Sequence, residues 1–148
     1  MDTFEQQERI AKRRVSWPAI FKVGLGLGVY LFIFAGGTPW TGAGIANGVL
    51  GRAEPWPMPL VTIAHFSLCL VYMVILAHAI YRLNIWMAAF AGVAVGLVLY
   101  GVNYALFATH NAGDGRALSA HIVFGLFGSV LYKALSVPRV KENQGKPA

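Results

Sequence analysis

Apolar residues dominate four stretches of this chain, and charged residues gather in the segments that flank and separate them, with Lys22 and Lys133 near span ends. No charged side chain occurs from Val23 to Gly51, from Pro55 to Tyr81, from Leu83 to Gly113 or from Ala117 to Tyr132. Uncharged apolar runs of about 20 residues match the hydrocarbon thickness of a bilayer when coiled into α-helices. The pattern predicts four membrane-spanning helices at about residues 19–36, 58–80, 85–108 and 117–137. The expected fold class is all-α: an integral membrane four-helix bundle occupying residues 17–137.

Local signals set the expected ends. Pro18 suits a first helical turn, where its missing N–H costs nothing. Pro138 stops the last span. Tyr81-Arg82-Leu83-Asn84 is a tight connection, which makes the second and third spans antiparallel neighbours. Residues 37–57 form the longest loop and are rich in glycine and proline. Residues 1–16 and 138–148 are polar and read as cytoplasmic segments. The first span follows basic residues, as a signal peptide does, but its charged leader is long and three further spans need a starting orientation.

Composition agrees with the pattern. The 148-residue chain is 57% hydrophobic and 12% charged, against about 45–50% and about 25% in soluble domains. The net charge of +6 arises from the flanks of the spans and accompanies no nucleic-acid motif. With both ends inside, the inner segments hold ten of the twelve Lys and Arg residues, and only Arg52 and Arg116 lie outside. That bias fixes an N-in, C-in orientation. Trp17 and Trp86 mark inner span ends, and Trp40 and Trp56 mark the outer loop, as interfacial anchors do.

Small residues suggest how the helices meet. Gly24 and Gly28 in the first span, and Gly92 and Gly96 in the third, stand at GxxxG spacing; Gly125 and Gly128 offer the fourth span a similar surface. Spans two and four each carry Ala-His near their start, at Ala64-His65 and Ala120-His121. The chain therefore reads as two repeated helical hairpins of like orientation. Glycine-rich membrane helices are common, and this reading competes with that simpler one.

Candidate chemistry gathers toward the outer face. His65, His110 and His121 fall on that side in this topology, with Asp114 between the last two spans and Tyr100, Asn103 and Tyr104 lining the outer half of span three. Imidazole binds metals and carries protons, so His65, His121, His110 and Asp114 form a candidate metal site. The competing reading is that each histidine hydrogen-bonds across helices or to interfacial water, which shallow depth makes inexpensive. His65, Cys69 and Met73 share a helix face and would suit a soft metal, though cysteine and methionine are also ordinary apolar filler. His65 and His78 are thirteen residues apart, the spacing of haem ligands in membrane cytochromes b. The matching partner of His121 would be Ala134, so a two-haem arrangement fails and one haem between His65 and His121 stays open.

No catalytic motif appears, and the spans contain no acidic residue. The first expectation is therefore a non-enzymatic small membrane protein, an accessory or assembly subunit whose partners are the lipid bilayer and other membrane subunits or copies of itself. The alternatives are a haem- or transition-metal-binding protein, although no cofactor is required, and an oligomeric transporter or channel.

The residues Ala64-His65-Phe66-Ser67, Trp86 with Gly92, and Ala120-His121 resemble the YagU-like family of bacterial inner-membrane proteins. The resemblance covers the last three spans, about half the chain. This chain is shorter than the family's, and its first loop departs from the family's pattern. The resemblance implies a bacterial inner-membrane location and transfers no catalytic residue.

Overall fold

The computed structural model describes residues 15–34, 57–107 and 115–136. These residues form four α-helices and no strand: α1 (Trp17–Phe34), α2 (Met58–Ile80), α3 (Ile85–Phe107) and α4 (Gly115–Ser136). By length and composition, α2, α3 and α4 are apolar enough to cross a membrane. The apolar α1 is shorter, at 18 residues. At 1.5 Å per residue that is about 27 Å, slightly less than a hydrocarbon core of about 30 Å. Residues 35 and 36, expected in the first span, lie outside the described residues.

The helix ends follow from local chemistry. Pro57, at φ −55° and ψ 139°, precedes α2, and Pro59 occupies its first turn, where no backbone donor is lost. Asn84 starts α3: its side-chain oxygen accepts from the Met87 N–H at 2.9 Å, and its carbonyl accepts from Ala88 at 2.8 Å. That is N-capping by a short amide side chain. At the end of α2, the Tyr81 N–H donates to Ala77 and the Leu83 N–H to Ile80, each at 2.9 Å. Two N–H groups of the four-residue turn between α2 and α3 are thus satisfied locally, and the Tyr81 carbonyl receives Lys133 of α4 at 3.1 Å.

Packing is densest within the pairs α1–α2 and α3–α4. Along α2 the buried positions Val61, His65, Cys69, Met73, Leu76 and Ile80 repeat every three or four residues, one inward stripe. Met73 and Leu76 meet Ile20 from α1 and Tyr132 from α4 in the centre. The opposite faces are covered with large apolar side chains, including Phe90 at 79% exposure and Val98 at 65%. A chain in water would turn such residues inward.

Glycines set how closely the pairs approach. A Cβ on Gly92 would fall on the Gly125 carbonyl and the Ser129 side chain. One on Gly125 would fall on the Gly92 carbonyl, and one on Gly96 on the His121 carbonyl. These obstacles are mostly backbone, so α3 and α4 touch main chain to main chain. In the α1–α2 pair the approach is looser. A Cβ at Gly24 would meet the Leu70 side chain at 3.0 Å, and one at Gly28 the Phe66 ring at 2.9 Å. Gly128 faces the ends of Leu76 and Leu27.

Candidate functional site

Three helices contribute to one polar chain. His121 stands on α4 six residues after Gly115, about 9 Å from the helix start. Its Nδ1 lies 2.8 Å from the Ala117 carbonyl, one turn earlier on the same helix. A carbonyl only accepts, so Nδ1 carries the hydrogen. In the neutral ring Nε2 is then an acceptor, and it lies 2.8 Å from Nδ2 of Asn103 on α3. The Asn103 amide donates to that lone pair, leaving its oxygen to accept from the hydroxyl of Tyr72 on α2. Every donor and acceptor in the chain Tyr72–Asn103–His121–Ala117 has one consistent role.

Aromatic rings enclose it. Tyr100 meets the His121 ring edge-on with centroids 5.7 Å apart, and Tyr72 lies 6.0 Å away and tilted. Phe124 packs edge-on against Tyr72 at 6.3 Å. The network is partly buried, and it joins α2 to the α3–α4 pair where glycines supply no such tie. In a low-dielectric surrounding, an unpaired amide or hydroxyl is costly, so each member supports the others.

His65 belongs to a different setting. Its Nε2 lies 2.9 Å from the Gly28 carbonyl on α1, so this nitrogen carries the hydrogen. Cys69, one turn along α2, places its sulfur 3.8 Å from the same nitrogen. Phe32 and Phe66 meet the ring edge-on at 5.7 and 5.4 Å. The small residue Gly28 thus both admits α2 closely and presents the carbonyl that binds His65.

The two candidate histidines therefore have separate partners: Gly28 and Cys69 for His65, Asn103 and Ala117 for His121. They also hold opposite tautomers. His110 and Asp114 lie outside the described residues, as do Trp40 and Trp56. Among the described residues, no group of three or more His, Cys, Asp or Glu side chains is placed to hold a metal ion. Met73 directs its sulfur toward Gly128 of α4, where an added Cβ would lie 3.6 Å from it. The sequence signals Asn103 as a polar residue within a span but gives Tyr72 no comparable prominence. Its one available clue is that a tyrosine hydroxyl inside an apolar helix needs a partner.

No family model, curated protein or solved structure matches the chain. Among the described residues, no buried side-chain nitrogen or oxygen lacks a hydrogen-bond partner. His65, Asn103, His121 and Tyr72 use their bonds to join helices, while Ser129 bonds the Leu126 carbonyl of its own helix.

Proposed function

We propose that this chain is a multi-pass protein of the bacterial inner membrane, its four helices crossing as a bundle with both ends on the cytoplasmic side. It serves as an accessory or assembly subunit of a larger membrane complex. The observation that carries this reading is the division of labour between its faces. Interior side chains tie helices together, Tyr72, Asn103 and His121 through one another and His65 through the Gly28 carbonyl, whereas the outward faces are broadly apolar, with Trp86, Phe90, Val98, Ile33 and Ile63 among their most exposed residues. A surface of that kind meets lipid or the apolar flank of another membrane helix.

Chemical crosslinking in native membranes, followed by purification in mild detergent, tests the assembly role. The proposed function predicts a reproducible crosslinked species larger than the chain alone. A monomer under both conditions would contradict it.

A second reading has one observation in its favour. The Nδ1–H of His121 is held by a backbone carbonyl, the arrangement that orients imidazoles for metal ligation through Nε2. A haem or transition metal bound there would have to displace the Asn103 amide. An absorption spectrum and metal analysis of the purified protein decide this: a Soret band or stoichiometric metal, lost in His121→Ala, supports ligation. Neither signal would be seen if His121 acts only as a helix tie.

A further inference from the structure

Each half of the chain is held by a close contact of its own. In the α3–α4 half, Gly92 and Gly125 set main chain against main chain, and a Cβ on either would fall on the other's carbonyl. Asn103 and His121 tie the same two helices at 2.8 Å. In the α1–α2 half, Gly24 and Gly28 face α2, and His65 donates to the Gly28 carbonyl at 2.9 Å.

The surface between the halves is of another kind. Gly128 of α4 receives the ends of side chains, Leu76 and Met73 from α2 and Leu27 from α1, at 2.9, 3.6 and 3.4 Å from an added Cβ. Tyr72 of α2 packs edge-on against Phe124 of α4. Such side chains change rotamer as a surface parts, which a main-chain contact cannot do. Hydrogen bonds between the halves lie at two levels. Near the α2–α3 turn, Lys133 donates to the Tyr81 carbonyl at 3.1 Å, and the Ser16 N–H donates to the Tyr132 hydroxyl at 3.0 Å. The bond from Tyr72 to Asn103 stands far from the turn: Asn103 lies eighteen residues along α3 from Ile85, about 27 Å.

Apolar surfaces that part in a bilayer are covered by lipid tails, so their separation lacks the hydrophobic penalty that water imposes. Packing contacts and hydrogen bonds then decide whether the halves stay together. This weighting rests on the proposed membrane-spanning arrangement.

We infer that the chain is two hinged hairpins, α1–α2 and α3–α4, which pivot about the Tyr81–Asn84 turn and are latched far from it by the Tyr72–Asn103 hydrogen bond. The ties at Tyr81 and Tyr132 lie near the pivot and survive a small rotation. The Tyr72 bond, on the longer arm, breaks. Asn103 keeps its bond to His121, since both move with the α3–α4 half. Opening uncovers Met73 and Leu76, both at 0% exposure in the closed form, to lipid tails. Removing one such bond raises the open-to-closed ratio roughly threefold or more.

The test is pulsed electron spin resonance on the full chain in nanodiscs, with spin labels on a Cys69→Ser background. Ile63→Cys with Val98→Cys spans the two halves. Val98→Cys with Phe127→Cys lies within the α3–α4 half, and all three positions are exposed. The expected result is a main distance for the 63/98 pair with a longer minor one, whose share rises about threefold or more in Tyr72→Phe. The distance for the 98/127 pair stays single and unchanged. A single 63/98 distance in wild type and Tyr72→Phe alike, or a longer share that the substitution leaves unchanged, overturns the hinge. Equal broadening of the 98/127 distance also overturns it, because the α3–α4 half would then not move as a unit. Resistance to carbonate extraction from liposomes tests the membrane reading separately. Retained protein with a fixed 63/98 distance overturns the hinge alone, and extraction of the wild-type chain overturns the membrane reading with it.

Discussion

The side-chain amide of Asn103 on α3 donates to Nε2 of His121 on α4 at 2.8 Å, and its oxygen accepts from Tyr72 on α2. One amide thus joins three helices, with each of its two ends in the role its partner requires. An amide suits this position because it offers a donor and an acceptor side by side without charge.

Replacing Asn103 with leucine removes both bonds and leaves the His121 Nε2 and the Tyr72 hydroxyl without this partner. The expected loss of stability is about 1–2 kcal/mol, between the modest worth of hydrogen bonds in membranes and the cost of orphaned buried groups. Tyr72→Phe removes one bond only and should cost less. Reversible unfolding in mixed detergent micelles, with graded addition of dodecyl sulfate, measures both. A Tyr72→Phe loss larger than that of Asn103→Leu would show that the hydroxyl has a more important partner than Asn103.

The two histidines differ in which nitrogen carries hydrogen. Nitrogen-15 spectra of the histidine-labelled protein at about pH 8, above the ordinary imidazole range, should show hydrogen on Nδ1 of His121 and on Nε2 of His65. Variants His65→Phe and His121→Phe assign the signals. The same tautomer for both rings would contradict the hydrogen-bond scheme.

Glycines on different faces should respond oppositely to alanine. At Gly125 a Cβ meets the Gly92 carbonyl, which cannot move without parting α3 from α4. Gly125→Ala is expected to cost about 1–3 kcal/mol, the usual range for overpacking. Around Gly26 and Gly101 no atom lies within 4 Å of an added Cβ. Alanine there should be neutral, or stabilising by up to about 1 kcal/mol through helix propensity. The same unfolding measurement ranks the three variants, and a loss at Gly101 equal to that at Gly125 would show a contact on the outer face of α3.

Much of the fold was legible in the sequence because its cause is local. Gaps in charge located the helices, and Asn84 with the preceding Tyr81-Arg82-Leu83 located the turn between α2 and α3. The expected end of the first span falls at residues 35 and 36, outside the described residues. The polar interior was legible as a list of residues and not as a set of bonds. His65 and His121 share the Ala-His context, yet one turns to the main chain of α1 and the other to a side chain of α3. That difference depends on which neighbour lies beside each helix, a property of packing that short sequence motifs do not encode. Tyr72 illustrates the same point, since its partner Asn103 is 31 residues away.

The central claim is that all four helices, α1 included, cross the membrane and return both ends to one side. Single cysteines introduced as Thr3→Cys, Ala53→Cys and Gly145→Cys on a Cys69→Ser background, treated in spheroplasts with a membrane-impermeant maleimide, test it most directly. The proposed arrangement predicts labelling of the residue 53 variant in intact spheroplasts, with the residue 3 and 145 variants labelled only after lysis. Equal labelling of the residue 3 and 53 variants before lysis would show that α1 does not cross, and would contradict the account.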